Sequence, residues 1–228
     1  MFLTIKKKTI FALLLCGVVV GGACATYFAV KPAISPKPTY SIVIDAGHGG
    51  RDGGAVGKTT GITESQLNLD YALTLKDKCE EFGMKVILTR SDMNGLYDEN
   101  APNKKKSEMA KRKEIINNSG ADLMISLHMN SFPLSSSQGA HVFYAKDSES
   151  GFKLAKSLQK SLCEKFDNAR NYVSVGDYFV LNYSSIPSAL VECGFLSNPQ
   201  EEQNLANKEY REQFCYHLLA GIISYFEM

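Results

Sequence analysis

No basic stripe of the kind a nucleic acid backbone requires runs through this 228-residue chain, whose 25 Lys and Arg are offset by 24 Asp and Glu for a net charge of +1. The densest basic stretch, Lys104-Lys-Lys106 with Lys111, Arg112 and Lys113, reads as the solvated face of a helix start. Nucleic acid is therefore excluded as a partner. A phosphate-binding loop is absent too, because Gly47-His-Gly-Gly50 has neither the lysine nor the spacing of a P-loop. No serine stands in a nucleophile-elbow context, so nothing specifies a Ser-His-Asp hydrolase. The cysteines form no paired metal-ligand spacing: Cys16 and Cys24 belong to an apolar segment, Cys79, Cys163 and Cys215 fall in predicted helices as small buried hydrophobes, and Cys193 reads as packing. No internal repeat or low-complexity tract follows Tyr40. The length suits one well-buried domain with an appendage rather than two domains.

What is present begins with an almost wholly apolar run from Thr9 to Val30, directly after Lys6-Lys-Lys8. About 20 apolar residues span a bilayer as a helix, and the preceding lysines favour a cytoplasmic amino terminus. Residues 1–30 are expected to be a transmembrane signal-anchor, which places the rest of the chain outside the cytoplasm, anchored to its membrane. Two cleaved alternatives exist: Ala23-Cys-Ala25 has the small-residue pattern of a signal-peptidase site, giving a secreted form, and Cys24 is a lipoprotein-type site. Tyr27-Phe-Ala-Val30 continues the apolar run past both, favouring the uncleaved anchor. Residues 31–40, with prolines at 32, 36 and 38, read as an extended spacer to a catalytic domain over 41–228.

After Tyr40 strands and helices alternate. Strands are predicted at 41–46, 84–89, 122–127, 140–144, near 178–181 and at 187–191, and helices at 64–82, 104–118, 148–166 and 201–226. The expected fold is a single α/β domain with a mostly parallel, twisted sheet flanked by helices on both faces.

Three of these strands end in chemistry. Ser41-Ile-Val-Ile-Asp-Ala-Gly-His-Gly-Gly50 delivers His48 on a glycine-rich turn, Asp122-Leu-Met-Ile-Ser-Leu-His128 delivers His128, and Ser188-Ala-Leu-Val-Glu192 delivers Glu192. Ligands and catalytic groups collect at that edge of α/β sheets. Either histidine alone is equally well a hydrogen-bonded side chain at a strand end, but two at one sheet edge point to a metal. Zinc hydrolases take three protein ligands from histidine and carboxylate and leave a position open for water. Glu64, at the start of the helix after the His48 loop, fits as the third, although a first-turn glutamate is favoured by the helix dipole in its own right. Glu192 should emerge from a buried strand into a turn, where a carboxylate is costly unless paired or functional. It is the natural general base for a metal-activated water. Asp45, Asp52, Ser126 and Asn130 flank the presumed ligands and could orient the imidazoles. His141 and His217 lack this setting and read as structural.

These residues resemble a known family. Ile44-Asp-Ala-Gly-His-Gly-Gly50, Glu64 ahead of Leu67-Asn-Leu69, Ser126-Leu-His-Met-Asn130 and Val191-Glu-Cys-Gly-Phe-Leu-Ser-Asn198 are similar, in order, to the motifs of the zinc-dependent N-acetylmuramoyl-L-alanine amidases (the amidase 3 family). The resemblance runs from about Tyr40 to the carboxyl end. It implies one zinc ion per chain on His48, Glu64 and His128, with Glu192 as the catalytic carboxylate. It further implies hydrolysis of the amide joining N-acetylmuramic acid to the L-alanine of the peptidoglycan stem peptide. Ala46 stands where the family usually has proline, and Cys193 where a small or apolar residue is usual. Neither change removes a ligand.

Within the family the chain looks most like the membrane-anchored amidases that act on spore cortex toward muramic lactam. The signs are the anchor and spacer, Asp52-Gly-Gly-Ala-Val-Gly57, the Lys-rich entry to the helix before Ile115, and Arg170 ahead of Tyr178. Asp45, Asn130 and Arg170 are carried as candidate imidazole-orienting or substrate-contacting residues. Peptidoglycan glycan strands and stem peptides, the membrane, and an activator protein or partner deacetylase are the expected partners. Two competing readings are a non-catalytic peptidoglycan-binding protein on the same fold and a metallo-hydrolase of another amide.

Overall fold

Ile42-Val-Ile44 is apolar on both sides of the pleat, which forces its strand to the middle of a sheet covered on both faces. The computed structural model describes residues 39–228. The expected signal-anchor and nearly all of the spacer lie outside them, and among the described residues no helix is long and apolar enough to cross a membrane. The elements are β1 (Ser41–Ala46), α1 (Glu64–Glu81), β2 (Lys85–Leu88), α2 (Lys104–Asn118), β3 (Leu123–Asn130), β4 (His141–Tyr144), α3 (Glu149–Cys163), β5 (Ser174–Val175), α4 (Phe179–Asn182), β6 (Ser188–Phe195), α5 (Pro199–Ala206) and α6 (Lys208–Phe226). The strands form one sheet in the order β2-β1-β3-β6-β4-β5.

The expected single α/β domain is present, but its sheet is mixed. β2, β1, β3 and β6 are parallel, whereas β4 runs antiparallel to β6 and carries β5 parallel to itself. The connection from Asn130 to His141 holds no helix, and a parallel return needs a crossover of about a dozen residues or more, usually helical. The chain therefore turns back.

The two faces have separate cores. Ile42, Ile44, Ile125, Leu127 and Val191 pack under α1, α3 and α6, which contribute Leu67, Leu75, Leu158, Phe214 and Leu218. On the other face Val43, Met124 and Leu190 meet Ile116 of α2 and Val180 and Leu181 of α4. At about 25 cal/mol per Å² of apolar area removed from water, such two-sided burial is the main stabilising term. Helix starts are set by side chains: Thr63, Asn103, Ser148 and Asn198 each accept a first-turn N–H.

Four expectations are corrected. Residues 179–182 are helix, closed by Asn182 Nδ2 donating to Asp177 Oδ1 at 2.6 Å, and the short strand lies earlier, at Ser174–Val175. The terminal helix is two helices, because Asn207 turns extended (φ −77°, ψ 129°) and its side chain caps the second at Tyr210. Arg112, placed on a solvated helix face, is 1% exposed. Finally β3 and β6 continue to Asn130 and Phe195, with a register shift between His128 and Asn130, so His128 and Glu192 lie inside strands and pair directly. Glu192 does not emerge into a turn.

From β1 the chain moves to β2 on one side and then to β3 on the other, so the strand order reverses at β1. Such a reversal leaves a crevice at the carboxyl ends of the strands. His48 and His128 are delivered there.

Candidate metal centre

His48 lies two residues past β1 at φ 59°, a left-handed conformation that costs a non-glycine residue about 1–2 kcal/mol. Gly47 before it donates to Leu127 O at 3.1 Å, which ties this turn to β3. The His128 ring lies against Gly47. A Cβ at residue 47 would come within 2.3 Å of His128 Cε1 and Nε2, so only glycine leaves the ring its place. Gly47→Ala is accordingly expected to displace His128 and weaken divalent-metal binding about tenfold or more, as read by competition with a chromophoric chelator.

Glu64 is the hub. It begins α1, is 5% exposed, and places Oε1 at 3.0 Å from His48 Nε2 and 2.9 Å from His128 Nδ1. The same oxygen accepts from Met129 N at 3.2 Å and Asn68 Nδ2 at 3.3 Å, while Oε2 accepts from Ala55 N at 2.8 Å. Burial pushes this carboxyl up, but the hydrogen bonds and charges of His128 and His48 outweigh it and hold the group well below the usual carboxylate range. His48 is shifted the other way: burial resists its protonation, and Glu64 and Asp52 more than offset that. Asp52 Oδ1 lies 2.9 Å from His48 Nδ1 without hydrogen-bond alignment, so that buried nitrogen keeps no directed partner.

The candidate ligand atoms of His48, Glu64 and His128 all lie within 4.8 Å of one another. A tetrahedral zinc with bonds near 2.0–2.2 Å sets its ligands about 3.3 Å apart. The Glu64 contacts, at 2.9 and 3.0 Å, are within a few tenths of an ångström of that spacing, and two imidazoles with one ionised carboxylate are the donor set zinc hydrolases use. The residues fit the ion.

Glu192 sits beside them. On β6 it pairs with His128 of β3 on one side and His141 of β4 on the other. It is 8% exposed, and its Oε2 is buried without a hydrogen-bond partner. Burial, aided by the Glu64 charge and opposed by the histidines, pushes its pKa up to about 7. A cleft of about 240 Å³ opens at His48 and His128 between α2 and residues 177–180, with Lys105 and Tyr178 also in its lining. A larger groove of about 500 Å³ beside α3 carries no histidine or carboxylate, so size does not mark the chemistry here.

The other candidates separate. Asp45 is 1% exposed and among the described residues makes no hydrogen bond to an imidazole: it pairs with Arg112 and accepts from Thr89 Oγ1 at 2.7 Å and Ser126 Oγ at 2.6 Å. Asn130 offers its carbonyl to Leu196 N at 2.8 Å. Arg170 donates its N–H to Ala140 O at 2.9 Å, and no hydrogen bond or ion pair among the described residues joins it to His48, Glu64 or His128. His141 packs on Phe143 and Tyr172, and His217 on Phe166.

Sequence reasoning missed the polar layer beneath the turn. Arg112 donates to Asp45 Oδ1, to Ala46 O at 2.8 Å, to His48 O at 2.5 Å and to Glu108 Oε1 at 2.7 Å. Arg90 donates to Ala46 O at 3.0 Å, Gly47 O at 2.9 Å, Ser65 O at 2.7 Å and Asp92 O at 2.7 Å. Burial and the Arg112 charge pull Arg90 down to about 10, still cationic at neutral pH. One signal was available: Glu108 and Arg112 are i, i+4 on α2, in line with Ile116 on its buried face.

Comparison with known proteins places the chain in a family. The N-acetylmuramoyl-L-alanine amidase family model matches residues 42–224. The germination-specific N-acetylmuramoyl-L-alanine amidase of Bacillus subtilis is 34% identical over 86% of this chain and 84% of its own length. The amidase LytC of the same organism is 29% identical over 84% of this chain but only 36% of its own. Among solved structures, the CwlD amidase of Clostridioides difficile, determined in complex with the GerS lipoprotein, superposes with a TM-score of 0.79 at 37% identity, covering 83% of this chain and 99% of that one.

Proposed function

The chain belongs to the N-acetylmuramoyl-L-alanine amidase family and is a cell-wall amidase acting outside the cytoplasm, and from that premise we propose that it works with one zinc ion held by His48, Glu64 and His128, with Glu192 as general base, on spore cortex. The observation that carries the metal reading is the convergence of donor atoms from His48, Glu64 and His128 within 4.8 Å of one another. Bound there, zinc supplies Lewis-acid chemistry, polarising a water and the scissile carbonyl.

The chain's own groups do the rest. Glu64, held ionised by its two histidine neighbours, contributes the negative charge of the site. Glu192, in register beside His128, accepts a proton from the attacking water and returns it to the departing L-alanine nitrogen. A cation next to this buried carboxyl favours its ionised form, which prepares it as a base. The cleft at His48 and His128 is walled by α2 and residues 177–180.

The cortex assignment is supported by the germination-specific relative, and a lipoprotein partner by the CwlD complex. Anchoring through residues 1–30 and a cooperating deacetylase belong to the same reading. The test is incubation of the full-length protein with peptidoglycan, with and without chelator and added zinc. Mass spectrometry should then find free stem peptides beginning with L-alanine. His128→Ala is expected to lose both zinc and release. Zinc-loaded, folded protein that frees no peptide, alone or with a lipoprotein partner, would leave a wall-binding role instead.

A further inference from the structure

The turn bearing His48 and the helix start bearing Glu64 are separate in sequence, and one buried side chain bridges them. Arg90 leaves the end of β2 and is 4% exposed. Its Nη2 donates both to Gly47 O, the residue before His48, and to Ser65 O, the residue after Glu64. Its Nε and Nη1 take Ala46 O and Asp92 O. Every one of these acceptors is a main-chain carbonyl, and among the described residues no ion pair within 4.0 Å engages the guanidinium. A buried cation satisfied wholly by main-chain carbonyls adds to stability, since removing it leaves those buried acceptors unpaired. It is also an apt device for geometry, because the rigid planar fork fixes the relative position of the strands it spans. Asn68 repeats the link from α1, donating to Gly47 O at 3.1 Å and to Glu64 Oε1 at 3.3 Å. Arg90 also fills the space over Gly49, where a Cβ would meet its Nε at 3.0 Å.

We propose that Arg90 is a positioning residue for the metal centre: by joining the carbonyls of Gly47 and Ser65 it sets the separation of His48 from Glu64, and through that the affinity for the metal. His48 holds a left-handed backbone at φ 59°, and its turn keeps that shape because the carbonyls of residues 46, 47 and 48 are each taken by Arg90 or Arg112. Arg112 has carboxylate partners and so serves the fold as well, whereas Arg90 serves the two ligand-bearing segments. Lysine can reach both carbonyls from one ammonium but lacks the planar fork that holds them together with Ala46 O and Asp92 O in one fixed arrangement.

The inference rests on the zinc reading above, and one experiment tells their failures apart. Zinc affinity of the full-length protein is measured by competition with a chromophoric chelator for wild type, Arg90→Lys, Arg90→Gln and Leu158→Ala, beside thermal melting of each metal-free protein. Leu158 of α3 is fully buried in the apolar core and controls for lost stability alone. Both Arg90 variants are expected to bind zinc about 10- to 100-fold more weakly, with Lys the milder, while Leu158→Ala melts lower but binds as wild type does. Affinity within about twofold of wild type in either folded Arg90 variant overturns the proposal. So does a loss in Leu158→Ala that tracks its lowered melting point. A wild-type protein that takes up no zinc overturns the metal reading and this inference together.

Discussion

Glu192→Gln is expected to cut release of stem peptides by about 10²- to 10⁴-fold while zinc stays bound, the usual size of a lost general base. The same substitution should stabilise the metal-free protein. Glu192 is 8% exposed, with one oxygen buried and unpartnered, and burial raises its pKa from 4.5 to about 7. The folded state therefore holds this proton more tightly than the unfolded chain. Its contribution is complete below about pH 4.5, declines as pH rises, and is gone above about pH 7. The gap corresponds to about 3 kcal/mol. The glutamine side chain of the variant has no such proton to lose. Urea unfolding in chelator should show wild type and variant converging near pH 4 and separating to a plateau above pH 7, the variant being the more stable. A constant difference across that range would mean the carboxyl is not desolvated as described. Equal zinc content with unchanged turnover would remove Glu192 from the reaction.

Asp45→Ala carries the largest expected loss of stability. Asp45 and Arg112 are each 1% exposed, and Asp45 gathers the guanidinium together with the hydroxyls of Thr89 and Ser126. Its carboxyl is pushed up by burial yet ends below the ordinary value, because Arg112 and the two hydroxyls favour the anion. Removing one partner of a buried ion pair typically costs about 3–5 kcal/mol, since the remaining charge has no counterpart. Asp45→Asn should cost less, keeping acceptors for the two hydroxyls. Chemical denaturation checks both. A loss under about 1 kcal/mol for Asp45→Ala would show that Glu108 alone compensates Arg112.

The four groups proposed for the reaction, His48, Glu64, His128 and Glu192, stand out in the sequence because each ends an apolar run or opens a helix, and two histidines at one sheet edge have few explanations. Their relation to each other does not. Placing Glu192 in a turn overlooked that β3 and β6 stay paired through a register shift at His128, which aligns the two side chains across strands. The bridging arginines were invisible for a different reason. Arg112 sits among Lys111 and Lys113, and nothing in composition says which of three adjacent cations points inward. Only helical phase with Glu108 and Ile116 does so. The reversal of β4 and the break at Asn207 turn on connection geometry and on a side-chain cap. Asp45 was chosen for its neighbourhood, yet its contacts serve Arg112 rather than the imidazoles.

All four cysteines of the described residues are free thiols, and Cys79, Cys193 and Cys215 are buried. Burial pushes Cys79 up to about 12 and the other two well above the ordinary thiol range. Thiolate is the form that oxidants and disulfides attack, so these three sulfurs are chemically silent while the domain is folded. No disulfide joins the described residues, and of their thiols only the half-buried Cys163 is open to an oxidant outside the cytoplasm.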